Sequence, residues 1–212
     1  MLNKMYNKLR DIATIQIGYQ HRDKAQPIST LESGSHRIIQ IKDILHSEFR
    51  GGIGPSVRFD NLYRITPSGD ADRYQVKQGD VLFLSRGQRA IATPVLEHLE
   101  KTLAAYYFYI LRPNTARVVS EYLAWFINQP TAQSFLEKHQ LGSHIKMVPK
   151  AAFEALEVIV PPVATQRAIV ELERLRHKEE QAMIRLADAR RRLITGLALK
   201  AAAKGGAHRR TV

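Results

Sequence analysis

Cysteine is absent from this chain of 212 residues. That absence excludes disulfide staples and thiolate zinc sites, and it fits a reducing compartment. Long hydrophobic runs are missing as well. Met1 to Asp11 carries charges but no apolar stretch, so no signal peptide is visible. The longest uncharged, largely apolar run, Thr102 to Leu111, is about half of what spans a bilayer. A cytoplasmic location with no membrane partner is the expectation.

Catalytic signatures are lacking too. There is no Walker-type phosphate loop, and Gly52-Ile53-Gly54 lacks the third glycine of a dinucleotide fingerprint because Val57 stands in its place, which leaves a turn. No Gly-x-Ser-x-Gly elbow seats a nucleophilic serine. The 8 histidines are scattered without a His-Glu-x-x-His pair, so neither a metal nor a cofactor is expected. Pro161-Pro162 resembles the amine clamp of amino-methyltransferases only superficially. That clamp needs an Asp or Asn before the pair and an aromatic after it, whereas Val160 and Val163 flank this one. Asp80, Glu100 and Lys101 could be assembled into a nuclease constellation, but carboxylates near a lysine occur by chance in most chains.

What the chain has in excess is positive charge. It carries 32 Lys and Arg against 20 Asp and Glu, a net charge of +12, which favours polyanionic partners, nucleic acid first. The excess is spread along the chain: residues 1–160 hold 20 basic and 15 acidic side chains (+5), residues 161–212 hold 12 and 5 (+7). A hydrophobic content of 44% is enough for a core, and the length suits one domain with an appendage.

Strands are expected at Ile12 to Ile17, His36 to Ile41, Val81 to Leu84 and Ala104 to Leu111, all rich in Ile, Val, Tyr and Phe and bounded by turn residues. Short helices are expected at Val118 to Asn128, Thr131 to His139 and Lys150 to Leu156, followed by a strand at Val158-Ile159-Val160. Pro161-Pro162 cannot continue a strand ladder and suits the first turn of a helix. From Thr165 to about Lys200 runs a long helix with a seam at alternating four- and three-residue steps: Ala168, Leu172, Leu175, Glu179, Ala182, Leu186, Ala189 and Leu193. A helix so long with one narrow apolar stripe must meet a partner along its length. The expected organisation is an α+β domain over residues 1–160, a spacer or dimerisation helix over 161–200, and a disordered basic tail over 201–212.

The binding candidates are polar residues at strand ends and in loops, where recognition groups tend to sit. The strand at Val81 delivers Arg86, Gln88 and Arg89 at its end; Arg can bind guanine bidentately and Gln can do so for adenine. Gln20, His21 and Arg22 follow the first strand in the same style, and Arg50 and Arg58 flank the glycine turn. Ser143, His144 and Lys146, in a later loop, suit phosphate oxygens.

Several elements together resemble a known family. They are Leu9-Arg10-Asp11-Ile12-Ala13 with Ile17-Gly18, Gly79-Asp80-Val81-Leu82-Phe83, Tyr122-Leu123 through Gln133 to Leu136, Gly142-Ser143, and Leu156-Glu157-Val158-Ile159-Val160-Pro161-Pro162 with Gln166 and Ile169. In their order and spacing they resemble one target recognition domain, with its following helix, of the specificity subunit of type I restriction-modification systems. The resemblance implies an α+β, mixed-sheet recognition domain followed by a coiled-coil helix. It also implies a non-catalytic chain that addresses a separate methyltransferase subunit, sometimes joined by a restriction subunit, to double-stranded DNA in phage defence. A full specificity subunit looks like two such units in tandem, and one is present here. A half-size chain would pair through its helix, with itself or another specificity-like chain, and a two-fold pair reads a gapped inverted repeat. A helix of about 36 residues spans roughly 54 Å, on the order of 16 base pairs. Glu179, the carboxylate in the seam, is expected to meet Arg176 or Lys178 of the partner helix. The competing classes are a coiled-coil structural adaptor without sequence-specific DNA binding and an autonomous nuclease.

Overall fold

A computed structural model describes residues 6–20, 36–44, 62–67, 70–87 and 90–207, with side chains to residue 203. The chain divides into two units, residues 1–170 and 171–212.

Within the first unit, a two-stranded antiparallel ribbon pairs β1 (Tyr6–Lys8) with β9 (Glu157–Ile159), so that the start of the unit is tied to its end. Leu9–Ile12 forms a single helical turn, α1, which buries Leu9 and Ile12. The strand expected from Ile12 therefore begins one residue later, as β2 (Ala13–Ile17), because the spacing of Leu9 and Ile12 puts both on one helical face. The expected strand Ala104 to Leu111 is two strands, β7 (Thr102–Ala104) and β8 (Phe108–Pro113). They are separated by a tight turn in which Phe108 N–H donates to the Ala105 carbonyl at 3.0 Å.

The central sheet has the order β2-β8-β5-β6, all antiparallel, with β5 at Val81–Leu84 and β6 at Ala92–Pro94. Its inner strands are largely apolar, β5 throughout and β8 as far as Leu111, because both faces are covered there. Alternate residues separate onto the two faces. Val81, Phe83, Tyr109 and Leu111 face one core, whereas Leu82, Leu84, Phe108 and Ile110 face the other.

The first core is closed by α3 (Ser120–Ile127), α4 (Pro130–Lys138) and α5 (Lys150–Glu154). Phe153 of α5 stacks on Phe83 at a centroid distance of 4.0 Å. Pro130 sits in the first turn of α4, one residue before the expected helix start at Thr131, where its missing N–H would have no partner anyway. The second core lies against a mixed sheet of order β4-β3-β7, in which β3 (His36–Ile39) runs antiparallel to β4 (Tyr63–Ile65) and parallel to β7. Ile38, Ile39, Leu103 and Ala104 fill it, next to Ile44 of the single turn α2 (Ile41–Ile44).

The strand, double proline and helix joint is locked by side chains. Gln166 is fully buried; its Oε1 accepts from the Val119 N–H at 2.9 Å, and its Nε2 donates to the carbonyls of Arg117 (2.8 Å) and Pro161 (2.7 Å). Beside it the Tyr122 hydroxyl donates to the Ile159 carbonyl at 2.7 Å, and burial pushes its pKa up to about 12. The helix that follows, α6, runs Val163–Ala207, 45 residues against an expected span of about 165–200. Residues 208–212 of the tail lie outside the described residues. Val170 is the last side chain of α6 buried in the first unit. Among the described residues no helix is long and apolar enough to cross a membrane. The α+β class and the long C-terminal helix are those expected.

Candidate nucleic-acid interface

The end of β5 joins two groups of residues that lie far apart in sequence. Arg86 pairs in a β-bridge with Met147, the Gly87 N–H donates to the Lys146 carbonyl at 3.0 Å, and the Val148 N–H donates to the Ser85 carbonyl at 2.9 Å. Residues 141 and 147 in turn exchange two backbone hydrogen bonds of 2.8 Å, making a closed hairpin with Gly142 to Lys146 at its tip. Gly142 has φ +100°, and a Cβ there would lie 2.4 Å from the Ile145 carbonyl oxygen, so the tip requires glycine. The base of the hairpin is held by the Tyr109 hydroxyl, which donates to the Val148 carbonyl at 2.8 Å and whose pKa burial raises. Ser143, His144 and Lys146 are exposed on the tip, and the half-buried Arg86 lies at its base. These four candidates are thus brought together.

Two residues outside the sequence expectation belong to the same end. The turn between β7 and β8 carries Tyr106 and Tyr107, whose rings lie 4.0 Å apart. The Arg86 guanidinium sits 5.2 Å from the centre of the Tyr106 ring, within cation–π range. The Ser85 hydroxyl and N–H both donate to the Tyr107 carbonyl, at 2.7 and 2.9 Å. The hydrogen bond with Tyr106, followed by burial, raises the Tyr107 pKa, while Arg86 opposes that rise. The pair was hidden because it sits inside an apolar run that reads as one continuous strand. Two adjacent tyrosines, whose side chains a strand would send to opposite faces, were the available signal.

Gln20 is exposed one residue beyond Tyr19, which bridges Ala105 at the edge of the tyrosine turn and whose backbone N–H donates to the Ala104 carbonyl at 2.7 Å. Close approach here depends on Gly18, because a Cβ at that position would lie 2.3 Å from the Ala105 oxygen. The other candidates, His21, Arg22, Arg50, Arg58, Gln88 and Arg89, lie outside the described residues.

At the opposite end of β5, Asp80 is buried and fully engaged. Its Oδ1 accepts from Arg112 Nε at 2.9 Å; its Oδ2 accepts from Arg112 Nη2 at 2.9 Å and from the Lys77 N–H at 2.8 Å. The bidentate bond raises the Arg112 pKa. This carboxylate therefore holds the turn before β5, while Glu100 and Lys101 are exposed in another turn. Among the described residues no group of three His, Asp or Glu is placed to hold a metal ion.

In the second unit the seam residues Leu172, Leu175, Glu179, Ala182, Leu186, Ala189 and Leu193 are all exposed, as is Ala168 just before it. Met183, Ile184, Ile194, Leu197 and Leu199 are exposed as well, so the apolar surface is wider than the seam. Arg176 bonds Glu173 and Glu180 of its own helix, and Glu173 raises its pKa. Among the described residues Glu179 has no ion pair.

Residues 2–175 match the family model described as the type I restriction modification DNA specificity domain. No curated protein matches the chain. Among solved structures, the HsdS subunit from Thermoanaerobacter tengcongensis aligns with a TM-score of 0.54 at 17% identity, over 86% of this chain and 39% of that one. The type I restriction-modification system S subunit from M. genitalium aligns with a TM-score of 0.47 at 14% identity, over 81% of this chain and 39% of that one. The chain therefore spans well under half of either subunit. On the match that covers most of its length, and with the fold of the first of these subunits, the chain belongs to the type I restriction modification DNA specificity domain family.

Proposed function

We propose that this chain is a sequence-reading half of a type I-like restriction-modification assembly, contributing an address on duplex DNA and leaving the chemistry to a separate methyltransferase, with or without a restriction subunit. The observation that carries this reading is the clamped end of β5. There a bidentate-capable Arg86 lies at the base of a hairpin that offers a hydroxyl, an imidazole and an ammonium group to the outside. No Asp or Glu occurs anywhere from residue 138 to residue 153, which suits a polyanion and little else. The test is fluorescence anisotropy of the full chain, alone and with its methyltransferase, on duplex DNA over a salt series. Binding that weakens steeply with salt supports the reading. Salt-independent or absent binding in both preparations would favour the adaptor instead.

We further propose that the exposed face of α6 pairs with a second recognition unit, most simply another copy of this chain. A helix of 45 residues spans about 68 Å, on the order of 20 base pairs of B-DNA, so paired helices would set the gap between two half-sites. Charge favours an antiparallel pair. Residues 171–180 carry 4 acidic and 3 basic side chains, residues 181–204 carry 1 and 6, so reversed helices set the acidic stretch of each beside the basic stretch of the other. With the two-fold axis between Ala182 and Leu186, Glu179 lies beside Ala189 of the second copy, near its Arg190 and Arg192 and one like charge, Asp188. Those arginines suit it better than Arg176, which its own helix already engages.

A further inference from the structure

The hairpin tip holds a side chain that neither phosphate contact nor folding explains. Ile145 is 71% exposed and Leu141, at the hairpin's base, is 59% exposed. A branched aliphatic group costs free energy in water, yet this one is held out by design of the backbone. The paired Leu141 and Met147 close the loop, Gly142 supplies the positive φ that turns it, and the Ile145 carbonyl packs over Gly142 so that no side chain fits between. The loop is in turn bonded to the end of β5 through Arg86, Gly87 and Ser85. Ile145 is flanked by His144 and Lys146 in a stretch with no carboxylate, so a protein partner chosen for apolar surface alone is a poor match. The apolar feature that a basic partner surface meets on duplex DNA is the C5-methyl of thymine, which projects into a major groove wide enough for a two-stranded ribbon.

Resting on the DNA-reading function above, we propose that Ile145 is a specificity-determining residue that reads a thymine methyl group in the major groove. Arg86 at the hairpin's base then reads a polar base edge, and Lys146 and Ser143 hold the backbone beside it. The hairpin thus combines an apolar and a polar reader on one rigid mount.

The test is a selection of duplexes bound by the full chain, with its methyltransferase where needed, from random libraries, followed by anisotropy on the selected duplex made with thymine or with uracil. Loss of the methyl at one position per half-site is expected to weaken wild-type binding roughly three- to tenfold. Ile145→Ala, an exposed substitution, is expected to bind the thymine duplex as weakly as wild type binds the uracil duplex and to be indifferent to uracil. Ile145→Val, which keeps a branched methyl pair, should retain most of the discrimination. If Ile145→Ala keeps full affinity and full thymine dependence, the proposal is wrong. A bright 2-aminopurine signal beside the site with wild type, lost with Ile145→Ala, would also overturn it, because the side chain would then be a wedge between base pairs. Failure of every preparation to bind any duplex would sink the DNA-reading function itself, an outcome distinct from a binder indifferent to Ile145.

Discussion

The two units of this chain use apolar side chains in opposite ways. Among the described residues of 1–170 most are spent inward, on two cores divided by one sheet, with Phe83, Phe108 and Phe153 fully buried. In residues 171–203 no side chain is buried, and nine large apolar residues from Leu172 to Leu199 are exposed. The first unit has its own packed cores to hold the strand end that carries Arg86. The second, a single helix with ion pairs of its own, leaves its apolar face uncovered. The proposed function, reading a sequence while setting a spacing, would use both kinds of segment, one packed on itself and one completed by assembly.

Substitutions in the two units should therefore fail in different assays. The largest effect is expected from Phe83→Ala, which removes a ring stacked on Phe153 in the middle of the first core. A loss of about 3–5 kcal/mol in urea unfolding is expected, whereas Leu186→Ala, in the second unit, should leave the unfolding of the first unit unchanged. Gln166→Ala comes next: it strands the Val119 N–H and two carbonyls at the joint, with an expected cost of about 2–3 kcal/mol.

Alkaline pH should weaken the same joint by a comparable amount. The Tyr122 pKa is raised from its ordinary value of 10 to about 12, so the neutral hydroxyl is the form that the fold favours. Its contribution is full below pH 10 and is lost as pH rises through 12, about 2–3 kcal/mol over that window. Tyr122→Phe should flatten the alkaline limb of a stability-versus-pH curve; an unchanged limb would mean that this hydroxyl is not the titrating group.

The smallest expected effect falls on the second unit. Glu179→Leu should change monomer helicity little, and by less than about 1 kcal/mol, yet loosen polarity and register of the pair, read by disulfide trapping of engineered cysteines along the seam. If trapping stays confined to antiparallel neighbours, Glu179 does not set the register.

How much of this was legible beforehand follows from burial. β5 was read to the residue because a doubly covered strand is apolar throughout, and the long helix was read from its seven-residue period. β1, β4 and β6 escaped, since three residues carry no period; β9 is as short but is marked by its run into Pro161-Pro162. The tyrosine turn was absorbed into a neighbouring strand for want of a Gly or Pro to mark it. For the interface, Arg86 and the Ser143 to Lys146 loop were each visible as polar residues at strand ends, but their meeting was not. It depends on backbone bonds between Ser85, Gly87, Lys146 and Val148, and backbone pairing across some 60 residues leaves no mark on side-chain identity.

Selection from a random duplex library with the full chain, joined by its methyltransferase where binding requires it, tests the account most directly. The expected result is one half-site recovered twice in inverted orientation across a fixed gap, collapsing to a single half-site with the double substitution Leu175→Glu and Leu186→Glu. Recovery of an unenriched library, with binding indifferent to salt, would contradict it.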